Sequence, residues 1–108
     1  MIDLKALQKD VYANKVAKGF NVEDVHLEFN YLYGEVAEAC EAYRKKKPDL
    51  GEELADVAIY LLGLAEILNV NLEQEILAKH EKNKQREYAK VNGVLTRTKE
   101  AQSFKKLS

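Results

Sequence analysis

Two pairs of acidic residues in the middle of the chain have the type and spacing needed for metal-dependent chemistry. Glu35 and Glu38 form the first pair, Glu53 and Asp56 form the second, and each pair has a spacing of three residues. Residues three apart lie on one face of a helix, so each pair places two carboxylates side by side. Each acid directly precedes a residue of the apolar stripe of its segment, so the two pairs occupy equivalent positions in their helices.

The two pairs are expected to lie at nearly the same level of a helical hairpin. The turn between them contains Lys46 and Lys47, with Glu38 eight residues before it and Asp56 nine residues after it. At ~1.5 Å per residue, the pairs then lie within about one helical turn of each other. Four carboxylates at this separation repel one another unless cations neutralise them. Ligation by oxygen alone favours Mg²⁺, with Mn²⁺ as a possible substitute, because zinc sites generally include His or Cys.

The same residues allow two other interpretations of these acids. A di-iron bundle needs two Glu-x-x-His motifs. Only Glu23 and His26 have that spacing, since Leu77 stands three residues before His80. A solvated acidic face is common in a chain with 32% charged residues, and it remains the alternative to a magnesium site.

A cationic triplet farther along the chain has the charge needed to hold a polyanion. Lys79, Asn83 and Arg86 are spaced by four and three residues, so they share one face of a helix. Charge-assisted hydrogen bonds from lysine or arginine to phosphate are among the stronger polar contacts. The triplet therefore predicts a phosphate-binding face, with a solvated lysine-rich face as the alternative.

Four helices are predicted to position these residues, which places the chain in the all-α class. The predicted helices are residues 4–18, 22–46, 51–68 and 72–90, with a turn at residues 92–93 and no strand-period alternation. The predicted N-terminal caps are Asp3, Asn21 and Asn71, and Asp49 with Glu52 is predicted to form a capping box.

The third predicted helix is apolar on nearly all its faces, so it is expected to be central in a bundle or to lie at a subunit interface. A chain of 108 residues offers it only three partner helices, so we expect a homodimer or homotetramer to complete the core of a four-helix bundle. The second helix contributes a predicted core stripe, which consists of Val25, Phe29, Leu32, Val36, Ala39 and Tyr43.

Charge and composition give no sign of a nucleic-acid or membrane partner. The 17 basic and 18 acidic residues leave a net charge of -1. The single cysteine, Cys40, excludes an internal disulfide and is predicted to lie in the core. The uncharged run at residues 57–65 is shorter than the ~20 residues that span a bilayer, and no apolar signal segment is recognised.

We expect a soluble cytoplasmic protein with one helical domain at residues 1–95 and a basic tail at residues 96–108, either flexible or packed on a partner subunit.

The acidic pairs and the cationic triplet together resemble the signature of the MazG-like nucleotide pyrophosphohydrolases of the all-α NTP pyrophosphatase superfamily. Residues 35–38 and 53–56 resemble the metal-binding Glu-x-x-Glu and Glu-x-x-Asp motifs of that family, and residues 79–88 resemble its phosphate-side motif. The resemblance covers roughly residues 14–88. It implies a MazG-like helical bundle that assembles as a dimer or as a dimer of dimers.

The same resemblance implies Mg²⁺-dependent hydrolysis of a nucleoside triphosphate to a monophosphate and pyrophosphate, as in house-cleaning of the nucleotide pool. In that reaction the four acids hold the metal, Glu35 or Glu38 orients or deprotonates the attacking water, and the triplet binds phosphate. Candidates for the base pocket are Asn14, Lys18 and Phe20, with a core position as the alternative for Phe20. The alternative functions are a related phosphoribosyl-ATP pyrophosphohydrolase and a non-catalytic helical assembly module.

Overall fold

A computed structural model describes residues 1–99, which form four helices followed by a two-stranded antiparallel sheet. The elements are α1 (Leu4–Ala17), α2 (Val25–Arg44), α3 (Leu50–Ile67), α4 (Leu72–Gln85), β1 (Glu87–Val91) and β2 (Val94–Lys99). The prediction of a mainly helical, four-helix fold is confirmed. The chain divides into two units, Met1–Leu72 and a second unit that begins at Glu73. The helical domain at residues 1–95 stays a prediction.

Helix α3 is the central helix of the first unit, since it packs against both α1 and α2. The buried apolar residues of this unit come from α2 and α3, and they are Ala39, Ala42, Leu62, Leu64 and Ala65. Gly63 permits close contact with α1, because a Cβ atom there would lie 3.1 Å from Cδ of Lys15 and 3.5 Å from Cγ1 of Val11. The alkyl stem of Lys15 can therefore lie directly against α3.

The caps of the first three helices agree only in part with the predictions. Asp3 caps α1 as predicted, since its carboxylate accepts a hydrogen bond from the backbone N–H of Ala6 at 3.0 Å. The cap of α2 is Asp24, whereas Asn21 accepts a hydrogen bond from the backbone N–H of Asp24 at 3.0 Å and so forms the preceding turn. The prediction for Asn21 was wrong because its side chain bonds locally to the next few backbone groups. Asp49 precedes α3 without a side-chain cap hydrogen bond, so the predicted capping box was wrong as well.

The face of α2 that packs inside the protomer differs from the predicted stripe. Most of its buried and half-buried positions recur at steps of three and four, at Val25, Glu28, Leu32, Glu35, Ala39 and Ala42, and Leu27 and Glu41 beside them are half-buried as well. Phe29, Val36 and Tyr43 of the predicted stripe are instead 37%, 50% and 71% exposed. Cys40, predicted to be a core residue, is also exposed. The stripe prediction failed because two inner positions carry acids, so counting apolar residues favoured the neighbouring face of the same helix.

Large apolar side chains are also exposed on α3 and at its C-terminal cap, where Leu54, Leu61 and Leu68 recur every seven residues. Together with the exposed stripe on α2, they form apolar surface that one protomer leaves open to solvent. A homo-oligomer would cover this surface, and that assembly stays a prediction. Within residues 1–99, no helix is long and apolar enough to cross a membrane.

A β-hairpin follows α4, which corrects two predictions. Helix α4 ends at Gln85 and not near residue 90, and strands were not expected at all. The turn predicted at Asn92 and Gly93 is confirmed, and both residues have positive φ, at 52° and 79°. An Asn-Gly pair with this geometry favours a two-residue hairpin turn, so it pairs β1 with β2 across the turn. The predicted tail begins inside β2, and residues 100–108 lie outside the described residues.

Candidate functional site

Three carboxylates from two neighbouring helices converge in the first unit. Glu35 and Glu38 on α2 and Glu53 on α3 each offer an oxygen atom, and these atoms lie within 4.8 Å of one another. Glu35 and Glu53 are half-buried, whereas Glu38 is exposed. The arrangement follows from the sequence spacing, because the two helices pack together with their acidic positions at one level. Three oxygen donors at this separation can bind a single cation.

The hydrogen bonding of this cluster is incomplete in a way that suits a cation. Oε2 of Glu35 and Oε2 of Glu53 are both buried, and neither accepts a hydrogen bond from any group within residues 1–99. Burying a carboxylate oxygen without a partner is costly. A cation at the cluster would supply the missing partner to both oxygens.

Burial and mutual repulsion raise the pKa of two of these carboxyl groups. The pKa of Glu35 is raised first by its burial and then by the charges of Glu38, Asp56 and Glu53. The pKa of Glu53 is raised by its own loss of hydration and by the charges of Asp49, Glu38 and Asp56. The cluster therefore holds negative charge at an energetic cost, which a bound cation would offset.

Asp56, the fourth predicted ligand, lies outside the group of three. Its side chain is exposed, and its oxygen atoms are not within the 4.8 Å limit that the other three share. Its charge nevertheless raises the pKa of both Glu35 and Glu53, so it lies beside the cluster. The structure thus brings three of the four predicted ligands together and places Asp56 at their edge.

The predicted cationic triplet lies on and just after α4. Lys79 and Asn83 are exposed, and Arg86 follows the last residue of the helix. The guanidinium Nη1 of Arg86 donates a hydrogen bond to Oδ1 of Asn83 at 3.2 Å, so these two residues do lie side by side. Their role in binding phosphate stays a prediction.

Two cavities lie in the first unit near the junction of α1, α2 and α3. The larger has a volume of about 520 Å³ and includes Asn14, Phe20, Ile59 and Tyr60 in its lining. The smaller has a volume of about 320 Å³ and is lined by Lys15, Phe20, Asn21, Glu28, Tyr31 and Tyr60. Of the predicted base-pocket residues, Asn14 and Phe20 line a cavity, whereas Lys18 lines neither. Phe20 is 54% exposed, so the alternative core position for it was wrong.

A buried ion pair forms one wall of the smaller cavity. Nζ of Lys15 donates to Oε1 of Glu28, and the two residues are only 9% and 2% exposed. Nδ2 of Asn21 donates to the other oxygen of Glu28 at 3.1 Å. The ammonium of Lys15 also lies 4.9 Å from the centre of the Tyr60 ring, in position for a cation–π contact. Tyr31 meets the same ring edge-on, with 6.3 Å between the ring centres.

Tyr60 connects this pocket to the acidic cluster. The pKa of its phenol is raised first by burial, then by the charges of Glu35 and Glu28. Glu35 belongs to the cluster and Glu28 to the cavity wall, so the phenol lies within the field of both. Tyr60 follows Glu53 by seven residues, or ~10.5 Å along α3. A cation site and an aromatic pocket therefore lie about two helical turns apart in one structural unit.

The sequence contained a signal for the pocket residues that were not predicted. Glu28 precedes Glu35 by seven residues and Tyr60 follows Glu53 by seven, so each shares a helix face with a cluster acid. Lys15, near the end of the first predicted helix, is the matching cation on α1. Once the inner face of α2 is known, the opposite charges of Lys15 and Glu28 indicate a buried ion pair.

The fold and the acidic cluster define an all-α protein with a candidate cation site between two helices. The family model of the MazG nucleotide pyrophosphohydrolase domain matches residues 25–89, a span that includes both acidic pairs and the cationic triplet. The match covers more than half of the chain, and the chain therefore belongs to the MazG nucleotide pyrophosphohydrolase family. No curated protein and no solved structure matches it.

Proposed function

We propose that this protein hydrolyses nucleoside triphosphates to nucleoside monophosphates and pyrophosphate, with Mg²⁺ as the required ion. The observation that carries the proposal is the group of three converging carboxylates beside an aromatic-lined pocket, in a member of the MazG family. The negatively charged phosphates of a triphosphate can bind beside carboxylates only if a cation lies between them. The base of the nucleotide needs a mainly apolar cavity with a few polar groups. A house-cleaning role in the nucleotide pool fits this chemistry.

The donor set suits a hard divalent cation. Glu35, Glu38 and Glu53, with Asp56 beside them, would hold Mg²⁺, and Mn²⁺ could replace it because its ligand preferences are similar. When bound, the ion supplies charge neutralisation to the phosphates and acidifies water. The buried, unbonded oxygens of Glu35 and Glu53 favour this occupancy over a simple solvated face.

We assign the activation of the attacking water to Glu35, with Glu38 as the alternative base. Glu35 is half-buried within the cluster, so a water beside the proposed ion would lie within reach of its carboxylate. Glu38 is exposed and reaches the same cluster, so it is placed to orient the water or the ion.

We assign charge neutralisation on the leaving pyrophosphate to the triplet of Lys79, Asn83 and Arg86. Lysine and arginine provide charge-assisted contacts to phosphate oxygens, and arginine can use two parallel N–H groups. The hydrogen bond between Arg86 and Asn83 would fix the orientation of the guanidinium group.

The base and sugar are assigned to the two cavities. Phe20, Tyr31 and Tyr60 supply aromatic surface on which a base can stack, and Asn14 lines the larger cavity. The distance of ~10.5 Å along α3 between Glu53 and Tyr60 is comparable with the reach of a nucleoside from its base to its first phosphates.

The deciding experiment measures pyrophosphate released from a pool of ribo- and deoxyribonucleoside triphosphates, with Mg²⁺ and with a chelator. We expect release only with the ion, and we expect Glu53→Gln to abolish it. Glu41→Gln is the matched control, because Glu41 lies on α2 in an exposed pair with Lys45. Phosphoribosyl-ATP belongs in the same assay, and a strong preference for it would indicate the related enzyme. No release from any substrate would refute the proposal and favour the assembly module.

A further inference from the structure

One face of the β-hairpin in the second unit collects positive charge. The register pairs Tyr88 with Arg97 and Lys90 with Leu95. Side chains alternate along a strand and cross-strand partners share a face, so these four residues lie on the same face of the hairpin. The guanidinium carbon of Arg97 lies 5.9 Å from the centre of the Tyr88 ring, which agrees with this arrangement. These four residues are called the cationic face below.

The opposite face of the hairpin carries the acid. Glu87 pairs with Lys99 across the strands, and Nζ of Lys99 lies 3.5 Å from Oε1 of Glu87. Among residues 86–99, Glu87 is the only acidic residue. The two strands therefore place an ion pair on one face and the two positive charges of Lys90 and Arg97 on the other.

This distribution of charge weakens an element that has little stability to spare. Every position of β1 and β2 is exposed, and a two-stranded hairpin without a covering layer is only marginally stable in water. Lys90 and Arg97 occupy diagonal positions, with ~7–8 Å between their Cα atoms, so their charges repel each other. An anion bound to both side chains would offset that repulsion.

The cationic face begins where the triplet of α4 ends. Arg86, the last member of the triplet, precedes Tyr88 by two residues, so their Cα atoms are at most ~7 Å apart. The small size of the face limits the anion that it fits. A strand of nucleic acid needs a longer positively charged track with several stacking rings, whereas this face offers one ring and two cations. A single short polyphosphate matches it better.

We propose that Lys90 and Arg97 extend the phosphate-binding triplet across the hairpin and bind the pyrophosphate portion of the substrate. The inference rests on the proposed function, which assigns the leaving pyrophosphate to the triplet. A guanidinium has five N–H groups, so Arg97 can bind phosphate oxygens in addition to the contacts that it already makes. Tyr88 orients that guanidinium, and Lys90 adds a compact second charge.

The first test measures binding of inorganic pyrophosphate to the full chain, so it does not depend on turnover. Isothermal titration calorimetry is done in metal-free buffer, where no cation can bridge pyrophosphate to the carboxylates, and at low ionic strength, because salt screens exposed charges. We expect the double variant Lys90→Gln with Arg97→Gln to raise the Kd about fivefold or more, a modest effect because both side chains are exposed. No binding by the unmodified chain, or an equal Kd in the variant, would overturn the proposal.

Two control variants separate the cationic face from net charge and from packing of the hairpin. Lys84→Gln with Lys99→Gln removes the same charge from the same unit, at lysines that pair with glutamates off this face, and should leave the Kd within about twofold. Lys90→Arg with Arg97→Lys keeps both charges on the face and should leave the Kd within about threefold. A loss in either control as large as that in the first variant would contradict the assignment.

The same experiments separate this inference from the proposed function. Weaker pyrophosphate binding by the Lys90 and Arg97 variant, without pyrophosphate release from any triphosphate, would support the cationic face and refute the catalytic proposal. Pyrophosphate release from triphosphates, with equal pyrophosphate binding by the variant and the unmodified chain, would support catalysis and refute the role of the face. Single-stranded oligothymidylate that binds more tightly than pyrophosphate, and only with the face intact, would assign the face to nucleic acid and overturn the proposal.

Discussion

Replacing Glu35 by Gln is expected to stabilise the protein without its ion while it abolishes turnover. The substitution keeps the volume of the side chain and removes one charge from a half-buried carboxylate cluster. In an ordinary surface position the same change alters stability little. At Glu35 it relieves repulsion from its acidic neighbours and ends the burial of a charge.

The magnitude follows from the separation of the charges. Coulomb's law for two unit charges 4.8 Å apart gives about 1 kcal/mol at the dielectric constant of water, and several times more in a protein interior. Solvent reaches the exposed Glu38, so we take the lower figure for its repulsion of Glu35. For a domain of this size, about 1 kcal/mol corresponds to a rise of ~4–8 °C in Tm.

The dependence of this effect on pH has a definite sign. The pKa of Glu35 is raised above its ordinary value of 4.5, so the folded chain binds the proton more tightly than the unfolded chain does. The contribution of Glu35 to the free energy of unfolding therefore increases as the pH falls through the raised pKa. This contribution is largest below pH 4.5. Without the ion, the contribution of Glu35 to the free energy of unfolding should grow between neutral pH and that value, and it is measured as the difference between the unmodified protein and the variant. The Glu35→Gln variant should gain less over the same range.

Thermal unfolding followed by circular dichroism, with and without Mg²⁺, measures all of these effects. We expect Mg²⁺ to raise the Tm of the unmodified protein, since a ligand that binds only the folded state stabilises it, and to raise that of the variant much less. Glu41→Gln is the control on the same helix, because the pKa of Glu41 is lowered by its hydrogen bond and ion pair with Lys45. That variant should gain no stability. A lower Tm for Glu35→Gln in the absence of Mg²⁺ would refute the repulsive cluster, and full turnover would remove Glu35 from the site.

Three further predictions concern the edge of the cluster, the cationic triplet and the assembly. Asp56→Asn should abolish Mg²⁺-dependent turnover while the circular dichroism spectrum is kept, and full activity would remove Asp56 from the ligand set. Lys79→Ala and Arg86→Ala should each lower kcat/KM about tenfold or more, because each loses a charge-assisted phosphate contact. Lys84→Ala, which removes only an exposed pair with a neighbouring glutamate, should have little effect, and equal small effects in all three would favour a solvated face. Sedimentation should show at least a dimer and Leu61→Asp should disrupt it, whereas a stable monomer of the unmodified chain would contradict the predicted assembly.

The helices and the acidic cluster were predictable because they depend on local spacing. A separation of three residues places Glu35 with Glu38, and a short link between α2 and α3 then brings Glu53 to the same level. Both relationships can be counted along the chain. Asp56 has the predicted spacing of three residues from Glu53. Whether its oxygen atoms also come within 4.8 Å of the other acids depends on the rotation of α3 about its axis, and sequence spacing alone does not determine that rotation.

The β-hairpin and the pocket were not predicted, for different physical reasons. The pattern of α4 continued smoothly into charged residues, so the Asn92–Gly93 turn was recognised without the strands that it connects. The pocket depends on contacts between helices that are distant in sequence, such as the bond from Lys15 to Glu28. No periodicity within one helix contains that information, although the charges of the two inner faces do indicate it.

The position of polar residues on the inner face of α2 explains why the buried core of the first unit is small. Glu28 and Glu35 occupy positions where most bundles carry leucine or valine, and the core they leave consists of alanines and two leucines. Apolar side chains that would normally fill this space lie on the neighbouring, exposed face of α2, as Phe29 and Val36 do. An inner face that carries acids cannot also supply full hydrophobic burial, and burial elsewhere must compensate. The predicted contact between copies of this chain and the polar pocket within one copy therefore have a common cause: the inner face of α2 carries the acids of the site.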